Sequence, residues 1–243
     1  KTASIVDRMS FNVELPSEKS LKLLAPQKSK QAIIEPMRQL SRDFVNAKLN
    51  KNNKFLPAGQ TTQMIVGASD ESDGKILKLT ENLYKMFKLK RVYFSSYVPV
   101  NFENSLLPTT QVGRLKEHRL YQADWLLRFY GFTADELIGE KENLNPKKKT
   151  KCNWAIKNIH LFPVEINTAP PEILVKVPGI GFRGANKIVW ARKYGKIQFE
   201  HLAKMRIVLK RAIHFITVNG KFFGQDSPRA ITALLTEHDN ENF

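Results

Sequence analysis

The chain has 243 residues, 42% of them apolar and 10% aromatic, which is enough to bury a sizeable core and to make two domains. Thirty-nine lysines and arginines against 23 acids leave a formal charge of +16, a balance that favours a polyanionic partner. A single cysteine, Cys152, excludes an intrachain disulfide or a multi-thiolate metal or iron-sulfur site built from this chain alone, and no apolar run approaches the ~18 residues that span a membrane.

From the N-terminus, residues 8 to 15 alternate Met9, Phe11, Val13 and Leu15 with polar residues, a period of two that predicts a strand. Pro16 and Ser17 open a helix to about Leu24, and a second helix is predicted from about Lys28 to Lys48, bent or broken at Pro36. After a polar loop at Asn50 to Lys54, Gln63 to Gly67 reads as a short strand covered on both faces. Gln60, Thr61 and Thr62 before it suit a turn. The apolar set from Ile76 to Phe87 predicts a helix over Asp73 to Lys88, and Arg91 to Val100 predicts a third strand. Strands alternating with helices imply a parallel sheet with right-handed crossovers. Three strands make only part of such a domain and leave a sheet edge that wants a partner. Because the chain begins at Lys1 and reaches a strand pattern almost at once, a preceding segment is expected.

Beyond Pro108 the pattern turns helical. Gly113 to Tyr130 predicts a long helix stopped by Gly131, with Trp125, Phe129 and Tyr130 at spacings more typical of core than of a base-stacking platform. Thr133 and Glu136 have capping-box spacing for a helix from Ala134 to about Ile138. Asn145-Pro146 predicts the start of another helix, carrying Lys147, Lys148, Lys149 and Lys151. Charge concentrates here: Lys141 to Arg211 holds 16 Lys/Arg and 4 Glu, so 16 − 4 = +12 of the excess lies in this stretch. His118, His160, His201 and His214 have no paired spacing that would mark a metal site. Thr236 to Phe243 reads as a polar tail.

Within the basic stretch, Asn167-Thr-Ala-Pro-Pro-Glu-Ile-Leu-Val-Lys-Val-Pro-Gly-Ile-Gly181 has the logic of two helices joined by a tight turn. Thr168 is the expected cap, and Ile173, Leu174 and Val177 are the expected inward face of the first helix. Ala185, Ile188, Val189 and Arg192 fall along one face of the second, and Phe199, Leu202 and Leu209 are assigned to a helix that closes the core. Gly179 and Gly181 let the backbone turn and leave the amides at the second helix's start open to an anion. This resembles the helix-hairpin-helix family, in the Asn-x-Ala start and the Val-Pro-Gly-x-Gly hairpin. The resemblance implies that Val177, Gly179, Ile180, Gly181, Arg183, Gly184 and Lys187 meet the DNA phosphate backbone. A turn used only for packing is the alternative.

The rest resembles a second family. Asn12-Val-Glu14-Leu-Pro, Leu24-Ala-Pro, Phe55 to Gly67, Arg91-Val-Tyr-Phe-Ser-Ser-Tyr and Leu120 to Gly131 are similar to the later half of a radical S-adenosylmethionine barrel, in the DNA modification or DNA repair branch of that superfamily. The fold this implies is α/β plus all-α: a partial parallel (β/α) barrel over residues 1–107, a helical connecting region over 108–162, a helix-hairpin-helix domain over 163–225 and a tail over 226–243. It also implies S-adenosyl-L-methionine (S-adenosylmethionine) and a [4Fe-4S] cluster as cofactors, with Asn12, Glu14, Ile65, Gly67, Ser95 and Ser96 beside the former. Asn12 and Glu14 equally suit ordinary polar positions on a half-buried strand. Gln63 stands where the family has a first glycine, and the family's three-cysteine loop is absent, so the chain as written cannot hold the cluster. A truncated enzyme and a non-catalytic relative both remain open. A cytoplasmic location and a uracil-DNA-glycosylase-like partner are further expectations. The function expected is DNA binding without sequence preference. A DNA glycosylase fits less well, because Glu200 is the sole acid between Gly181 and Gln225 and that chemistry uses an aspartate downstream of the hairpin.

Overall fold

The computed structural model describes residues 2–51, 54–100, 102, 104–110 and 113–240, so Asn52 and Asn53 of the expected loop and the last three residues of the expected tail lie outside it. Two compact units are present, Lys1–Asp124 with Ile138–Leu144 and Trp125–Leu137 with Asn145–Phe243.

The first unit is built on an open parallel sheet in the order β1 (Arg8–Ser10), β2 (Gly59–Val66), β3 (Arg91–Ser96). Helices α1 (Glu18–Leu24) and α2 (Lys30–Leu49) connect β1 to β2, and α3 (Asp73–Phe87) connects β2 to β3. Ser17, Ser29 and Ser72 cap these three helices, each hydroxyl accepting from a first-turn amide. Pro36 lies inside α2, which continues through it.

β1 is shorter than its alternation predicts. The hydroxyl of buried Thr62 accepts from the Val13 amide at 3.0 Å and donates to the Phe11 carbonyl at 2.7 Å, taking the place of ladder partners. Pairing resumes only as an isolated bridge between Glu14 and Met64, with Glu14 at φ 62°. β2 starts earlier than predicted. Gln60, Thr61 and Thr62 belong to this central strand and are buried, the Gln60 amide donating to the carbonyls of Met37 and Phe87. β3 stops at Ser96 rather than Val100 because its neighbour ends at Val66, where Gly67 turns at φ 86°.

Helix α4 (Arg114–Phe129) follows, its early turns tied to β3. Tyr121 Oη donates to the Phe94 carbonyl and accepts from its amide, both at 3.0 Å, and Glu117 accepts from the amide and hydroxyl of Ser96.

The second unit holds α5 (Ala134–Leu137), α6 (Thr150–Lys157), α7 (Pro171–Leu174), α8 (Phe182–Ala191), α9 (Phe199–Ala203), α10 (Leu209–Ala212) and α11 (Pro228–Asn240). A small sheet ties it together: β4 (Val164–Glu165) pairs parallel with β5 (Ile216–Val218), which pairs antiparallel with β6 (Lys221–Phe222). Its core gathers Phe132, Trp154 and Phe215 with Leu174, Val177, Ile180, Ile188 and Leu202, the Phe132 and Trp154 rings meeting edge to face at 4.9 Å.

Several local expectations change here. Only half of the capping box forms: Thr133 accepts from the Glu136 amide, while the Glu136 carboxylate pairs with Lys176. Asn145 caps a turn by accepting from the Lys147 amide, and α6 begins only at Thr150, so Lys147, Lys148 and Lys149 precede the helix. Pro170, not Thr168, is the cap of α7. The single closing helix is two short ones, α9 and α10. The tail is helical to Asn240 because Ile231 and Leu235, one turn apart, are both buried and α11 packs on α6.

Candidate nucleic-acid interface

Asn167 braces the start of the helical pair. Its amide nitrogen donates to Glu165, to the Ile197 carbonyl and to Asn219, and its Oδ1 accepts from the Ile197 amide at 2.8 Å. Glu165 is the anchor of this knot: burial pushes its pKa up, but the amides of Gly220, Asn167 and Asn219 outweigh that and hold it below the usual carboxylate value. Arg192, at the end of α8, donates to the carbonyls of Ile166 and Ala169 and so ties the helix to the loop.

Pro171 occupies the first position of α7, where a missing amide costs nothing. Leu174, Val175 and Val177 are buried, whereas Ile173 is 38% exposed, which moves the inward face by one residue from the expected set. The chain reverses at Gly179, with φ 83° and the Ile180 amide donating to Val177 O. A Cβ at Gly179 would sit 2.5 Å from the Val208 carbonyl oxygen, so both the torsion and the space demand glycine. Gly181 differs. Its φ of −92° suits any residue, and a Cβ there would meet only the Tyr130 hydroxyl, at 3.4 Å.

Gly181 is the N-cap of α8 and no side chain caps that end. A helix start leaves its first amides without an internal partner, and it is the positive end of the helix dipole. Along α8, Gly184, Ala185 and Ile188 face inward, while Phe182, Arg183, Asn186, Lys187 and Trp190 form an exposed face. Lys193 and Lys196 are exposed beyond its end. Of the expected contact residues, Val177, Ile180 and Gly184 are buried and Gly179 makes the turn. Gly181, Arg183 and Lys187 stand where an anion can reach them.

Lys151, one of the lysine run in the sequence, reaches the turn. Its ammonium donates to the Ile180 carbonyl at 2.7 Å and lies 4.7 Å from the centre of the Tyr130 ring. Burial pushes its pKa down to about 7.

A second turn repeats the first. Between α9 and α10, Arg206 takes φ 60° where Gly179 takes 83°, buried Ile207 and Ala212 correspond to Ile180 and Ala185, and buried Leu202 matches Leu174 with one residue fewer before the turn. The two turns are joined by the Val208 amide donating to Gly179 O at 2.9 Å. Leu-x-Lys before each turn and Ile after it carried this repeat in the sequence, masked by the absence of a second Pro-Gly.

In the first unit, Asn12 and Glu14 line one open hollow of about 490 Å³ with Ser10, Lys28 and Ser29. Glu14 is paired there with Lys28 at 2.6 Å, and Asn12 Oδ1 accepts from Ser10. Gly67 and Ser96 lie at the same C-terminal ends of the strands, but outside that hollow. Ile65 packs towards Leu15, Leu21 and Ala68, Ser95 stands opposite it in the ladder, and Ser96 is held by Glu117. No group of three His, Cys, Asp or Glu among the described residues could hold a metal ion. Among these residues no helix is long and apolar enough to cross a membrane. No protein-family model, curated protein or solved structure matches the chain.

Proposed function

We propose that this protein binds DNA through the sugar-phosphate backbone, holding a phosphate at the Gly179–Gly181 turn and the uncapped start of α8 in the manner of a helix-hairpin-helix module. The observation that carries this reading is the glycine-capped end of α8, open to an anion and flanked by exposed Arg183 and Lys187 within a stretch of net charge +12. Amides and lysines read phosphate, not base edges, so the binding is indifferent to sequence. Competition between unrelated duplexes of equal length tests it: affinities within a few-fold of one another are expected, and a preference of about a hundredfold for one sequence would show a base-reading element instead.

The first unit supports a second, structural reading. An open parallel sheet in consecutive order, with Asn12 and Glu14 in a hollow at the C-terminal strand ends, fits a portion of a (β/α) barrel that holds a nucleotide-like cofactor there. The residues fit the cluster of a radical S-adenosylmethionine enzyme poorly, since one cysteine cannot supply three thiolates. The proposed role of these 243 residues is therefore binding. S-adenosylmethionine should bind the chain weakly or not at all, and tight binding in a calorimetric titration would overturn this reading.

A further inference from the structure

Trp125 and Phe129, on the last turns of α4, and Phe182, at the start of α8, are 53%, 47% and 56% exposed. Three large aromatic side chains in the open, in one place, are a costly arrangement for a surface that binds nothing. They surround a hollow of about 480 Å³ with Tyr130, Gly181 and Arg183. The Trp125 and Phe129 rings lie 4.4 Å apart at a tilt of 51°. Basic side chains lie against the rings: the Arg128 guanidinium is 4.7 Å from the centre of Phe129, the Lys151 amine stands over Tyr130, and Arg183 belongs to the lining itself. Among the described residues, none that lines the hollow is acidic.

We propose that this hollow is a stacking site for an unpaired nucleobase, which makes the preferred ligand a DNA with a single-stranded, bulged or extruded nucleotide. The inference deepens the phosphate-binding reading and rests on it. Gly181 belongs to both places, as the N-cap of α8 and as part of the hollow's floor, so a phosphate at the helix start puts its own nucleotide beside the rings. An aromatic floor edged by cations complements a flat π-system tethered to an anion, which is the chemistry of a nucleotide. A paired base within a duplex offers only its groove edges and cannot reach such a floor, so the occupant has to be unpaired.

The test compares four ligands by fluorescence anisotropy with the full chain: a blunt duplex, the same duplex with a short thymine overhang, one with a thymine bulge, and the bulged duplex with abasic sites replacing the thymines. Wild type should favour the overhang and the bulge over the blunt duplex by about tenfold, the effect of one base-aromatic stack. The abasic ligand should lose that advantage. Trp125→Ala and Phe129→Ala should abolish the preference while leaving blunt-duplex affinity within about twofold, and Trp125→Phe, which keeps a ring, should restore it. An equal loss on blunt and bulged DNA, or a preference that survives either alanine variant or the abasic ligand, overturns the proposal. Loss of self-association in sedimentation without any change in DNA preference also overturns it, since the rings then face protein. If wild type binds no duplex at all, the phosphate reading itself fails; if it binds blunt DNA with a steep salt dependence but no preference, only the stacking site fails.

Discussion

Gly179 and Gly181 look equivalent in the sequence, and their surroundings separate them. Gly179→Ala forces a side chain into the left-handed region and against the Val208 carbonyl, and should cost about 2–4 kcal/mol in a denaturation experiment. Gly181→Ala should stay within about 1 kcal/mol of wild type, because its torsion is ordinary and its neighbour is one hydroxyl. The discriminating variant is Gly181→Leu, whose side chain covers the start of α8: it should keep its circular dichroism and lose DNA affinity with a shallower salt slope. Unchanged affinity in that folded variant would make the turn purely structural.

Lys151 adds a pH dependence at the same place. With its pKa near 7, the ammonium beside Ile180 is largely charged at pH 6 and largely neutral above pH 8. An anion at the turn favours the charged form, so binding takes up a proton and Kd should rise as pH increases from about 6 to about 8.5. Lys151→Arg should flatten that profile. For folding the sign follows from burial disfavouring the charged lysine: the native state binds fewer protons than the unfolded chain between the two pKa values, so this group's contribution to stability rises with pH across that window. Glu165 has the same sign in a lower pH window, because its pKa too is lowered in the native state. Its lowered pKa gives stability that is present above pH 4.5 and lost as pH falls through the native value, so Glu165→Gln should reduce the acid sensitivity of the second unit in a urea titration.

At the level of elements, α8 divides its labour by face. Its inward positions lock the turn into the core, and its outward ones hold the charge, so a single outward charge should matter little. Lys187→Ala removes one exposed cation and leaves the amides in place; Kd measured by titration should weaken by less than about fivefold. The Pro171–Leu174 helix is only one turn long and has no side-chain cap. Asn167 and Glu165 hold its entry instead, through the strand pair and the turn between β5 and β6. Asn167→Ala should therefore lower the stability of the second unit, by roughly 1–3 kcal/mol for the buried partners left unpaired, although Asn167 itself touches no anion site.

For the whole molecule, a charge of +16 should make the proposed DNA association strongly dependent on salt. If four to six phosphates are neutralised by the turn and the basic stretch, affinity should fall by roughly two to three orders of magnitude between about 50 and 200 mM salt. A slope corresponding to a single phosphate would place the charge excess outside the interface.

Much of the backbone plan was legible in the sequence, because period-two and helical patterns, serine caps and glycine turns act over a few residues. The three parallel strands, α1, α2 and α3, and the turn before α8 all follow from such local signals. What failed was the reading of polar residues as exposed. Gln60, Thr61 and Thr62 lie buried in the central strand because Met37, Phe87 and Phe11 carbonyls supply their partners, none of them near in sequence. On α4 the same cause reversed a face. Arg119 and Asp124 are buried, with Gln122 and Tyr84 respectively among their partners, and this turns Trp125 and Phe129 outward, where the sequence expects core. Local pattern thus determined which segments are helix, strand and turn. Only tertiary structure decided which polar groups are satisfied inside, and with them which aromatic rings are left outside.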